Sequence, residues 1–223
     1  METNVETNVQ NSGKPSLFGM VLNPGEQFEK VKSNPKVWVP LMFVTLLFTI
    51  GMSLMAMSLD AETIQGQQAG AVPAEQEEML MMIAKVTMAI TGIFIAPFTA
   101  LIYTVIYLIV AKIAGSPAGF KKLFSMITYT LVISGFGLIL NSLLMMAFGG
   151  NEMVHYTSLA GLLGQGSGIM NGIEIFAIWQ TILTAIGLQK VGEMSKGLSW
   201  TAAILLFIAT VFIGALSGAA GTM

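Results

Sequence analysis

Apolar residues in this chain come in five long runs separated by polar stretches. The runs cover about 37–59, 86–113 (interrupted by Pro97), 123–148, 173–188 and 200–220. A helix needs about 20 mostly apolar residues to cross the hydrocarbon core of a bilayer. The first, second, third and fifth runs are long enough. The fourth reaches a workable length only with help from Ile169 or Val191 at its ends.

The polar stretches decide how to treat that fourth run. Nine of the ten lysines fall in three of them: Lys14, Lys30, Lys32 and Lys36; Lys112, Lys121 and Lys122; Lys190 and Lys196. Cytoplasmic loops retain basic residues. If all five runs span, with the N-terminus inside, these three stretches lie on one side. Lys85 and the acids Asp60, Glu62, Glu75, Glu77, Glu78 and Glu152 then lie on the other. Without the fourth span, Lys190 and Lys196 would change sides. The expected fold is therefore all-α: a polytopic membrane bundle of five transmembrane helices, N-terminus inside and C-terminus outside. Residues 1–15 read as a disordered tail with no signal-peptide pattern. Residues 16–36 read as an amphipathic, interfacial segment, and 37–223 as the bundle.

Local signals mark the helix ends. Asn23-Pro24-Gly25-Glu26 combines a cap residue, a proline at the first helical position and a glutamate three after the cap. Pro35 closes that helix. Phe28 and Val31 share one face of it, flanked by Lys30 and Lys32, as in a helix lying on a membrane surface; a plain polar linker is the alternative. Ser116-Pro117 repeats the cap-then-proline device before the third run. Residues 74–85 read as a helical extension beyond the membrane, and Pro97 predicts a kink.

Composition narrows the function. Charged residues make up only 10% of the chain and mean hydropathy is +0.76. A net charge of −2 gives no case for nucleic-acid binding. With no Cys, no Arg and a single His, His155, the chain offers no disulfide, thiolate, guanidinium clamp or histidine-clustered metal site. No cofactor is expected, and no acid/base pair sits within a span to suggest an enzyme.

Glu174, about one turn into the fourth run, is an acid close to an apolar span. Ala177, Ile178, Thr181, Thr184 and Ala185 continue its helical face as a small, partly polar stripe. Buried membrane acids are functional candidates, but a carboxylate at a helix N-terminus is also favourable in its own right. Asn141, Ser142 and Gln180 suit hydrogen bonds between helices. Tyr103, Tyr107 and Tyr129 read as packing or interfacial residues. The spacing of Gly214 and Gly218 in the fifth run permits close helix approach, either within the chain or to another subunit. The glycine-rich stretch 149–172 reads as a flexible or partly re-entrant loop. His155 there reads as solvated, and the 17 methionines as apolar filler.

Two segments carry a family resemblance. From Lys14 to Leu41 the chain reads KPSLFGMVLNPGEQFEKVKSNPKVWVPL, with Pro24, Phe28, Lys30, Lys32, Asn34 and Pro35 in order ahead of the first run. From Gly115 to Thr130 it reads GSPAGFKKLFSMITYT. This order and spacing resembles bacterial Yip-family membrane proteins, which have five spans. The Asp-Leu-Tyr-Gly-Pro motif of the GTPase-binding eukaryotic members is missing. The first segment is most similar to a bacterial subgroup that assembles with ABC exporters and defends against toxic peptides. The resemblance implies a non-enzymatic accessory or scaffold subunit of the bacterial plasma membrane, partnered with ABC transporter components or with further copies of itself. Candidate partner or lipid contacts are Phe28, Lys30, Lys32, Lys36, Lys121, Lys122, Gly214 and Gly218. The alternatives are a small transporter or channel lined by Glu174, Thr181, Thr184 and Asn141, or a lipid- or curvature-binding membrane organiser.

Overall fold

The computed structural model describes residues 13–59, 74–149, 155–164 and 168–220, with backbone alone for 74–75 and 217–220. Tail residues 1–12, the acids Asp60, Glu62 and Glu152, and Gly150 and Gly166 lie outside the described residues. The described chain is all-α: α1 (Gly19–Leu22), α2 (Pro24–Ser33), α3 (Trp38–Met57), α4 (Ala74–Ile113), α5 (Phe120–Phe148), α6 (Leu159–Leu163), α7 (Ile169–Gly172), α8 (Ile175–Lys190) and α9 (Lys196–Ala220). Helices α3, α4, α5 and α9 are long and apolar enough to cross a membrane. The 16 residues of α8 reach about 24 Å, short of a bilayer core of about 30 Å.

Even so, α8 runs the length of the bundle. It packs antiparallel on α5, and small residues set how closely it lies. A Cβ placed on Gly187 would fall 2.7 Å from Met126 Sδ, and one on Gly137 would fall 2.7 Å from Phe176 Cγ. Between these points Ser134 donates its hydroxyl proton to Gln180 Oε1. Helix α3 lies parallel to α5. Ser125 Oγ donates to Lys36 O at one end (2.6 Å), and Ser142 Oγ donates to Gly51 O towards the other (3.0 Å). Helix α4 returns beside α3 as one 40-residue helix that continues through Pro97. Helix α9 packs on α8 and α7.

The three lysine stretches meet at one end of this bundle. Lys190 pairs with Glu29 (2.9 Å) and Lys32 with Glu193 (3.3 Å). Ser116 Oγ donates to Gly192 O, tying the α4–α5 turn to the α8–α9 turn.

Two local expectations need correction. Helix α2 has the expected limits, and Pro35 accounts for its stop, but its apolar face is not laid on lipid. Phe28 and Val31 are fully buried, and α2 packs on α8 and α5. The open backbone at Gly187 brings the Phe28 ring within van der Waals range. Phe28 is thus a core residue and not a lipid contact. Ser116 does not cap α5, which starts after Gly119 with no side-chain cap. Its hydroxyl accepts from Ala118 N (3.1 Å) and donates to Gly192 O instead. The N-terminal segment also folds further than expected: α1 buries Met20 completely, and Ser16 N donates to Gln27 Oε1 (2.8 Å).

Helices α3 and α4 approach closely at Gly92, where a Cβ would fall 2.7 Å from Thr49 Cα. Backbone cannot yield there, so we expect Gly92→Ala to cost about 1–3 kcal/mol. Gly214→Ala meets nothing within 4 Å and should gain the usual helix-propensity benefit of about 0.5–1 kcal/mol. Unfolding of each variant in detergent micelles measures both, and equal effects would contradict this packing.

Candidate functional site

Two groups of polar residues inside the bundle border cavities. The first lies at the end opposite the lysines. Glu174 is the N-cap of α8, and its Oε2 accepts from Ala177 N (2.8 Å). Its Oε1 accepts from the Thr157 hydroxyl (2.5 Å). Thr157 in turn is held by Asn141 of α5: Asn141 Oδ1 accepts from Thr157 N (3.0 Å), and Asn141 Nδ2 donates to Thr157 Oγ1 (2.8 Å) and Gly137 O (2.9 Å). Asn171 Oδ1 accepts from His155 N (2.7 Å) and from Ser158 Oγ (3.2 Å). Glu174, Asn141 and Ser158 are all buried. A cavity of about 280 Å³ adjoins them, with Phe48, Met52, Ile95 and Leu138 among its apolar walls.

These bonds explain how the glycine-rich stretch is organised. In its described parts it forms α6 and α7, pinned by Thr157, Ser158 and Asn171. A Cβ on Gly172 would meet Val211 of α9 at 2.9 Å. His155 joins this cluster through its backbone N–H and carbonyl, while the residue remains exposed, as expected of a solvated loop histidine. The protein beside the exposed ring partly desolvates it and lowers its pKa, and the nearby Glu174 charge partly opposes that shift.

The second group is a smaller cavity of about 70 Å³ between α4, α8 and α9. Tyr103, Tyr107, Gln180, Thr181, Thr184 and Thr210 give it its polar lining. The three threonines donate to carbonyls of their own helices, Ala177 O, Gln180 O and Phe207 O, which commits their hydroxyl protons. Ala177 touches both cavities, and the Ser134–Gln180 bond lies between them. The four residues expected to line one path are therefore split, with Asn141 and Glu174 in one space and Thr181 and Thr184 in the other.

At the lysine end, Lys30 pairs with Glu26 (2.7 Å) and Lys32 with Glu193. Lys36 and Lys121 border an open groove of about 660 Å³ with Trp38, Phe120 and Phe124. Lys122 follows on α5 without an ion pair among the described residues. Gly214 faces open space, and Gly218 lies in the last turn of α9, where only the backbone is described.

The chain matches the family model described as Yip1 domain over residues 18–218. It is 35% identical over 240 residues to "Membrane protein YknW" of Bacillus subtilis (strain 168), an alignment covering 99% of this chain and all of the relative. No solved structure matches it significantly.

Two outcomes follow from the Glu174 cluster. Thr157→Val keeps the shape but removes a donor from a buried carboxylate and an acceptor from Asn141. It should cost about 1–3 kcal/mol, more than Thr181→Val, whose hydroxyl bonds only to its own helix. Paired unfolding curves compare the two. For His155, a native pKa below the unfolded value of about 6.5 means that the unfolded chain binds the proton first. Stability is then full above about pH 6.5 and falls as pH drops through the lower native pKa. His155→Gln should flatten the thermal-stability profile between about pH 7 and 5; an unchanged slope would assign that dependence to other groups.

Proposed function

This chain belongs to the Yip family of membrane proteins, and we propose that it is a non-enzymatic accessory or scaffold subunit of the bacterial plasma membrane, assembled with an ABC-type exporter that protects against toxic peptides. In this reading all five long helical segments span, with the N-terminus and the lysine end inside. Two features support the topology. The three lysine stretches converge at one end, and α8 runs antiparallel to α5 from that end to the other. The short α8 is buttressed by α2, which packs beside its last turns, and is preceded by α7 at its start.

The single observation that carries the scaffold reading is where unsatisfied surface remains. Within the bundle, Glu174, Asn141, Ser142 and Gln180 bond to other segments of the same chain. Helix α9, by contrast, hangs at the edge. Only 11% of its apolar window is buried, against 33% for α3 and 39% for α5. Gly214 presents bare backbone there, near exposed Phe212 and Leu216. Without a hydrophobic drive between helices in lipid, close backbone approach is a principal source of association. A partner span fits on this face. The transporter reading is less well supported, because its expected lining is divided between two cavities.

Purification from native membranes in mild detergent tests the proposal. We expect an ABC ATPase and its permease to co-purify with the wild-type chain, and Gly214→Leu to lose both while still eluting as a folded protein. Deletion of the gene should lower toxic-peptide tolerance. No retained exporter subunit together with unchanged tolerance would sink the idea. Glu174-dependent solute flux by the isolated chain in proteoliposomes would favour a transporter instead.

A further inference from the structure

The lysine end carries nine lysines but, among the described residues, only three acids: Glu26, Glu29 and Glu193. Each acid pairs with a lysine, and the lysines they take are Lys30, Lys190 and Lys32. Lys112 is held by the carbonyls of Ser116 and Ala118 (3.4 and 3.0 Å). Lys14, Lys36, Lys121, Lys122 and Lys196 make no ion pair among the described residues. Two of these five, Lys36 and Lys121, border the same groove of about 660 Å³, between the α2–α3 connection and the first turn of α5. The bond from Ser125 Oγ to Lys36 O fixes the two walls relative to each other.

The groove is electropositive for a second reason. Helices α3 and α5 both begin at its rim, at Trp38 and Phe120. Neither start has a side-chain cap or an acidic residue in its first turn. The partial positive charge of each helix start thus adds to the lysine charge, and no carboxylate lines the groove among the described residues. The remaining wall is apolar and open: Trp38 is 76% exposed, Val39 72% and Phe120 43%. Charge above an exposed aromatic and aliphatic surface, where two long apolar helices enter the bilayer, matches an anionic amphiphile. A soluble anion would leave that apolar wall unused.

We propose that this groove is a binding site for one anionic phospholipid of the leaflet at the lysine end. Lys36 and Lys121 hold the headgroup phosphate, Lys122 adds long-range attraction, and Trp38, Phe120 and Phe124 flank the glycerol and the upper acyl chains. Trp at this depth is the usual interfacial anchor. The site requires the chain to be in a membrane but needs no exporter, so it stands or falls separately from the accessory-subunit reading.

Native mass spectrometry of the full chain in micelles, titrated with phosphatidylglycerol or phosphatidylcholine, tests it. Each lysine near a membrane surface contributes about fivefold to anionic-lipid affinity. The double variant Lys36→Gln/Lys121→Gln should therefore bind phosphatidylglycerol about thirtyfold more weakly. The acid-paired control Lys30→Gln/Lys32→Gln should bind as wild type, phosphatidylcholine should bind weakly throughout, and millimolar inorganic phosphate should not displace the lipid. Equal binding by wild type and the double variant, an equal loss in the control, or displacement by inorganic phosphate would overturn the proposal. A second measurement needs no lysine change. In a Trp179→Phe/Trp200→Phe background, phosphatidylglycerol with brominated acyl chains should quench Trp38 more strongly than brominated phosphatidylcholine does; equal quenching also overturns it.

Discussion

The structure depends on the seam between α5 and α8. In lipid, helices gain little from burying apolar surface against one another, so packing must come from close contact and interhelical hydrogen bonds. This seam has both. Gly137 and Gly187 let Phe176 and Met126 approach the facing backbones. Ser134 bonds Gln180 at mid-length, and Asn141, through Thr157, holds the cap of α8. At 16 residues α8 is the weakest candidate to hold a place in the bundle by apolar length alone. The seam compensates for that shortness, and α9 and α2 pack in turn on α8. The orientation of the fifth long segment and the burial of the N-terminal helix are therefore downstream of a few contacts along one interface.

How well the sequence anticipated this depended on whether a residue's partners lay within its own periodic segment. Asn141, Ser142 and Gln180 were recognisable as interhelical donors or acceptors because each is a polar residue inside an apolar run. The limits of α2 followed from Pro24 and Pro35, which act on backbone angles directly. Thr157, His155 and Asn171 could not be anticipated, because they sit in a glycine-rich stretch without periodicity. Their roles exist only once the loop folds back onto Glu174. Phe28 shows the same limit from the other side. An apolar stripe flanked by lysines fits a membrane surface and a protein surface equally well, and only the open backbone at Gly187 selects the second. Ser116-Pro117 has the composition of a helix cap, but the turn at Gly192 lies close enough to take the hydroxyl.

Lysine position had two meanings that the linear pattern combined into one. Clustering on one side reports orientation, and it requires only that the stretches share an end of the bundle. Pairing is a separate property. Lys30, Lys32 and Lys190 join α2 to itself, to the α8–α9 turn and to α8, while Lys14, Lys36, Lys121, Lys122 and Lys196 make no ion pair among the described residues. Exposed ion pairs contribute little stability, about 0–1 kcal/mol each. The greater consequence of the pairing is that Lys36 and Lys121 keep their charge uncommitted at the groove where α3 and α5 start.

The same distinction between committed and uncommitted groups bears on function. A pathway for polar solutes needs groups that exchange partners with the solute, at a cost low enough to permit turnover. Glu174 has both oxygens engaged, one by a backbone amide and one by Thr157, and Thr157 is itself held from both sides by Asn141. Removing one member would expose a buried carboxylate, at about 1–3 kcal/mol or more. Joining the two cavities would require breaking the Ser134–Gln180 bond at the middle of the seam. That would loosen the contact on which α8, and through it α9, depends. A bundle whose internal polar groups double as its fastenings suits a protein that holds a shape for others to bind.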